Sequence, residues 1–120
     1  MTAIVDYGAG NLRSVQNTLD ELGSEYVTSH DPETVSASDK LILPGVGHFG
    51  HMMRRLDQLG LREPLVTRLH AGVPFLGICV GLQCLFEGSE ESPGSKGFGI
   101  FSGSVRRFTG NARIPHMGWN

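Results

Sequence analysis

The chain lacks most of the features that announce a function class. Its 120 residues carry 18% charged side chains and a net charge of −2, so there is no basic footprint for nucleic acid. No uninterrupted apolar stretch approaches the ~20 residues that cross a bilayer, and no basic n-region followed by an apolar h-region opens the sequence. Neither membrane spanning nor secretion is therefore expected. The five histidines are scattered without metal-ligand spacing, and neither a metal nor another cofactor is expected. Only two cysteines occur, Cys79 and Cys84. Their separation points them to different faces of a helix start and fits neither a disulfide nor a C-x-x-C motif, so a reducing cytoplasm is the expected setting. No internal repeat or low-complexity tract is present.

Glycine, by contrast, is plentiful: 17 residues, most at expected element ends. The chain's length fits one domain or part of one. Ala3-Ile4-Val5 reads as a short buried parallel strand ending at the loop Asp6-Tyr7-Gly8-Ala9-Gly10-Asn11. Asn11 is the expected N-cap of a helix carrying Leu12, Val15, Leu19 and Leu22, with Gly23 as its C′ stop. Tyr26-Val27-Thr28 is a second strand, and Asp31-Pro32-Glu33 starts a short helix. Leu41-Ile42-Leu43 is a third strand, closed by Pro44-Gly45-Val46-Gly47. Met52, Met53, Leu56 and Leu59 form one helical stripe, and Leu65, Val66 and Leu69 another. After Phe86 the sequence reads as a solvated loop over 87–94, then as a strand or hairpin over 98–108.

Strands alternating with helices imply an open, mostly parallel α/β sheet, in which ligands gather at the carboxyl ends of the strands. The loops at 7–11, 44–47 and 79 all belong there. An open sheet of about four strands with one apolar edge is expected to be marginal alone. The last residues include the only tryptophan, and a further C-terminal piece is expected.

The stretch on which the rest depends is Val73-Pro74-Phe75-Leu76-Gly77-Ile78-Cys79-Val80-Gly81-Leu82-Gln83. An apolar run ends at a cysteine flanked by glycines two residues away on either side, and helical patterning resumes at once. Strand, sharp turn and helix in that order form a nucleophile elbow: the glycines let the two backbones approach, and the turn lifts one side chain above the sheet. Unpaired N–H groups of the following helix favour thiolate over thiol. Cys79 is thus a candidate nucleophile, and Cys84 a buried core residue. No histidine among His30, His48, His51, His70 and His116 stands in a pattern that marks it as the base; His48 and His51 read as helix-start surface.

Gly77-Ile78-Cys79-Val80-Gly81-Leu82-Gln83 resembles the nucleophile signature of class I glutamine amidotransferases, and Leu43-Pro44-Gly45-Val46-Gly47 resembles their oxyanion-strand motif. Three further stretches, 6–15, 44–50 and 115–120, are similar to the glutaminase subunits of imidazole glycerol phosphate synthases. The resemblance runs from residue 3 to 120, making the chain the N-terminal portion of a single amidotransferase domain with flavodoxin-like layering. It implies that Cys79 attacks the side-chain amide of glutamine, that the backbone amides of Val46 and Val80 hold the oxyanion after a peptide flip, and that Gly47, Gln83 and Glu91 hold the substrate's α-amino and carboxylate groups. It also implies a heterodimer with a (β/α)8 barrel synthase subunit, docked through Asn11, Met117, Trp119 and Asn120. The family's histidine and glutamate, one residue apart, lie C-terminal to the tryptophan motif and are not among these residues. The expectation is that this polypeptide turns over little glutamine. Two other readings stay open: a non-catalytic chain that only docks on the barrel subunit, and a redox or chaperone-like elbow cysteine.

Overall fold

The computed structural model describes residues 1–9 and 11–109. Four strands, β1 (Thr2–Val5), β2 (Tyr26–Ser29), β3 (Lys40–Gly45) and β4 (Phe75–Cys79), form a parallel sheet in the order β2-β1-β3-β4. Between them run α1 (Leu12–Glu21), α2 (Pro32–Ala37), α3 (Phe49–Gln58) and α4 (Arg62–His70). The strands are short because each run is cut off by glycine, proline or a polar loop; β1 and β3 are buried, whereas β2 is half-buried and β4 partly exposed.

Register decides which residues share a face. Ala3 pairs with Val27 and Leu41, and Leu41 with Phe75, so these side chains stand on one side of the sheet. With Val5 and Leu43 they meet Val35 of α2, Phe49, Met52, Met53 and Leu56 of α3, and Leu65 of α4 in one core. Ile4 and Ile42 point to the other side. There α1 lies over β1 and β2: its Gln16 side-chain amide donates to the Thr28 hydroxyl at 3.0 Å, and Thr28 is the register partner of Ile4. Right-handed crossovers require this split, because the chain leaves β1 in one direction for β2 and returns past it to β3 and β4. The second face is covered only in part: no residue of α1 is fully buried, and Leu76 and Ile78 of β4 remain 55% and 37% exposed.

Local signals act as expected in several places. Asp31 caps α2, accepting from the Glu33 amide and the Thr34 hydroxyl. Gly23 ends α1 at φ +69°, with its amide on the Asp20 carbonyl. Asn11 occupies the N-cap position of α1 but makes no side-chain capping bond.

Two expectations need correction. The helix after Cys79, α5 (Val80–Gln83), is a single turn. The reason lies downstream: the amides of Phe98, Gly99 and Ile100 take the carbonyls of Cys84, Phe86 and Leu85, which otherwise accept from the next helical turn. The 98–108 segment is not a hairpin either. Instead β5 (Gly88–Ser89) pairs in parallel with β6 (Ser104–Val105), within a stretch read from sequence as solvated loop and strand.

Candidate active site

The chain reverses strand order between β1 and β3, and in an open α/β sheet that switch point opens a crevice at the strands' carboxyl ends. A cavity of about 400 Å³ opens there, lined by Tyr7, Gly8 and Ala9 after β1, Val46 and Gly47 after β3, and His48, His51, Met52, Arg54, Arg55 and Gln58 from the head and body of α3. Arg55 fastens this wall, its Nε donating to the Tyr7 carbonyl at 2.9 Å.

One strand further along stands Cys79. Its φ is +56°, and it is the sole non-glycine with positive φ among the described residues. That conformation is strained for a side chain with a Cβ, and such strain marks functional turns. The thiol is exposed. Glycines make the turn possible. A Cβ on Gly81 would lie 1.9 Å from the Leu43 carbonyl oxygen, and one on Gly77 would lie 2.7 Å from the Leu82 Cα. The one-turn α5 offers Cys79 less dipole than the sequence suggested, which leaves its exposure and its positive-φ turn as the features that single it out.

Register brings the two motifs together. Cys79 is the partner of Gly45, so the Gly45-Val46-Gly47 loop begins beside it. Contact continues past the strand ends, where a Cβ on Gly45 would meet the Gly81 nitrogen at 2.5 Å and the Val80 carbonyl carbon at 3.0 Å. Gly45 is therefore packed directly against the Val80–Gly81 peptide. Gly47 has φ +86° and open space around it, a conformation that glycine alone takes at little cost.

Gln83 and Glu91 line a second hollow, of about 650 Å³, with Ser89, Glu90, Val105, Arg106 and Arg107. The structure thus brings Cys79, Val46, Gly47 and Val80 together at the strand ends and sets Gln83 and Glu91 together in a hollow lined by none of those four. Glu91 is also a helix cap: one carboxylate oxygen accepts from the Phe49 amide at 2.8 Å, while the Ser92 hydroxyl accepts from Gly50 at 3.0 Å. The His48 ring lies 3.3 Å from the same hydroxyl. Two free N–H groups of α3 are thereby satisfied from a loop 42 residues away in sequence. No motif in the sequence signals Ser92; only its position next to Glu91 hints at it.

Cys84 is fully buried, its sulfur 3.6 Å from that of Met52, and burial pushes its thiol up to about 12. It is the inert core residue expected. Met117, Trp119 and Asn120 lie outside the described residues, whereas Asn11 is exposed at the head of α1. Among the described residues no cluster of side chains suits a metal ion, and no helix is long and apolar enough to cross a membrane.

Residues 3–120 match the family described as glutamine amidotransferase class-I. The chain belongs to that family. It is 49% identical over 117 residues to an imidazole glycerol phosphate synthase subunit HisH of Thermus thermophilus, covering 98% of this chain and 59% of that protein. It is 48% identical over 120 residues to the HisH subunit of Methanothermobacter thermautotrophicus, covering 100% and 60%. The amidotransferase chain thus spans about 60% of the length of these relatives. Its fold resembles that of a solved glutamine amidotransferase with a TM-score of 0.76 at 21% identity, over 88% of this chain and 56% of the other. The parallel sheet with flanking helices expected from the sequence is the architecture of this family.

Proposed function

We propose that this chain is the nucleophile-bearing part of a glutaminase subunit of imidazole glycerol phosphate synthase, acting in histidine biosynthesis. The observation that carries the reading is the pairing of Gly45 with an exposed, positive-φ Cys79, which sets the nucleophile beside the loop that holds the oxyanion donors. The Cys79 thiolate attacks the side-chain amide carbon of glutamine, and the charge that develops on the carbonyl oxygen is held by the Val46 and Val80 amides. Collapse expels ammonia with a proton from a general acid, leaving a glutamyl thioester. Water hydrolyses the thioester to glutamate. Gly47, Gln83 and Glu91 hold the substrate's α-amino and carboxylate groups.

Ammonia passes to a (β/α)8 barrel synthase subunit. Asn11 lies at the same end of the sheet as Cys79 and suits the docking role, with Met117, Trp119 and Asn120 as its expected companions. The cytoplasm is the setting for such a heterodimer and for an exposed reduced thiol.

Among the described residues no side chain hydrogen-bonds the Cys79 sulfur. This favours a second reading, in which these 120 residues dock on the synthase subunit without turnover of their own. Ammonia release separates the two. With the barrel subunit present, the chain as given is expected to run at least ~10²-fold slower than a chain extended through the family's His-x-Glu pair. Equal rates would defeat that account of the missing base. No ammonia from either chain would defeat the glutaminase reading.

A further inference from the structure

Arg62, the first residue of α4, makes four hydrogen bonds with one guanidinium. Its Nε and Nη2 donate to the two Asp57 carboxylate oxygens at 2.6 and 3.1 Å, closing a fork on the end of α3. Its Nη1 donates to the Gly97 carbonyl and its Nη2 to the Lys96 carbonyl, each at 3.0 Å. The guanidinium carbon also stands 6.0 Å from the centre of the Phe98 ring.

Those two carbonyls lie at the neck of a loop. Gly88 and Lys96 form an antiparallel bridge, and the Gly97 amide donates to the Glu87 carbonyl at 2.9 Å, so residues 88–96 leave and return at one place. At the tip, Glu91 and Ser92 take the Phe49 and Gly50 amides at the head of α3. Between tip and neck, Gly94 and Ser95 line a hollow with Met53 and Arg54. The loop therefore runs along α3, tied at the helix head by its own side chains and at the helix end by Arg62. A carboxylate carried on a loop binds an ammonium well only when the loop is already ordered, because otherwise binding must also bear the cost of ordering it. The planar fork of Arg62, with all three nitrogens engaged, supplies that order at the neck.

We infer that Arg62 is a positioning residue for substrate binding: by clasping the Lys96 and Gly97 carbonyls to Asp57 it holds the 88–96 loop along α3 and fixes Glu91 where the substrate's α-amino group meets it. The inference rests on the glutaminase reading, in which Glu91 holds that group, and adds a residue that touches no substrate.

The test follows capture of Cys79 in the full chain by glutamine carrying a chloromethyl ketone in place of its side-chain amide. The sulfur bonds to the methylene carbon and chloride leaves with the carbon–chlorine electron pair, while the α-amino and carboxylate groups stay available for recognition. The half-saturating concentration then reports binding, and the limiting rate reports the thiol. Arg62→Met keeps an unbranched apolar stem beside Phe98 and removes every donor. It is expected to raise the half-saturating concentration about 10-fold, the equivalent of one net hydrogen bond, and to leave the limiting rate within about 2-fold. In a Glu91→Ala background, where the clasp has no carboxylate left to position, adding Arg62→Met is expected to change the half-saturating concentration by less than about 2-fold. Arg68→Met is the control: it removes another α4 donor, the one on the Ser38 carbonyl at 2.7 Å, and should leave both quantities as in wild type.

An unchanged half-saturating concentration in Arg62→Met, an equal rise in Arg68→Met, a limiting rate that falls as far as binding weakens, or an undiminished rise on top of Glu91→Ala would each overturn the inference. If Arg62→Met does not unfold cooperatively on heating, Arg62→Lys, which keeps the charge beside Asp57 but lacks the fork, is read by the same criteria. If capture of wild type is not suppressed by glutamine, the glutaminase reading fails, and the inference with it.

Discussion

The turn at Cys79 and the packed segment at Cys84 hold the same functional group in opposite states. Cys79 sits at a strained positive-φ elbow, exposed, with two strand ends converging on it. Cys84 follows one turn of helix and is sealed against Met52, with about a thousandfold less thiolate near neutral pH than an ordinary thiol whose value is 9.0. Backbone placement alone separates an exposed thiol at a strained turn from a sealed one. Five residues along the chain, glycine-enabled close approach gives way to core packing, and the same sulfur turns from candidate nucleophile to filler.

The sharpest way to break this contrast is to exchange the two thiols' fates. Cys79→Ser is expected to abolish capture of the chloromethyl ketone analogue, and Cys84→Ala to leave its rate within about 2-fold, as intact-mass kinetics would record. Loss of capture in Cys84→Ala with a folded chain would contradict the account.

Next in size is the elbow's backbone. Gly81→Ala drives a Cβ to within 1.9 Å of the Leu43 carbonyl and is expected to destabilise the chain by about 3 kcal/mol in denaturant unfolding. Gly72→Ala has positive φ but open space, and should cost only about 1 kcal/mol. Similar costs at the two sites would mean that close approach of strand and helix is not what Gly81 provides.

A third effect is alkaline. The folded chain keeps the Cys84 proton up to about 12, whereas an ordinary thiol releases it near 9.0. Its contribution is complete below that lower value and is lost as pH rises toward the higher one, at up to ~1.4 kcal/mol per pH unit. Tyr7, also pushed up by burial, adds to the slope from about its ordinary value of 10.0. Stability against pH for Cys84→Ala should therefore fall less steeply than wild type across this window.

The smallest effect is at the α3 cap. Ser92→Ala leaves the Gly50 amide without its acceptor and is expected to cost about 1 kcal/mol, with Cys79 capture retained.

Legibility in the sequence followed how local each constraint is. The first four strands, the helix start at Asp31–Glu33, the stop at Gly23 and the elbow glycines could all be read, because apolar runs, turn residues and their spacing act within a few positions, whereas Asn11, read as an N-cap, makes no capping bond. The sidedness of Cys79 and Cys84 was readable for the same reason. What escaped was long-range. The single turn of α5 results from amides of residues 98–100 taking its later carbonyls, and the capping of α3 by Glu91 and Ser92 spans 42 residues. The β5–β6 pairing joins two-residue strands too short to carry any period. Nor did the sequence separate Tyr7 from its motif, since nothing local shows that its hydroxyl is buried without a hydrogen-bond partner.

The most direct measurement is peptide-mapped labelling of the wild-type chain by the chloromethyl ketone analogue, with and without excess glutamine. The account predicts modification confined to Cys79 and suppressed by glutamine. Labelling that ignores glutamine, or that falls on Cys84 as readily as on Cys79, would contradict it.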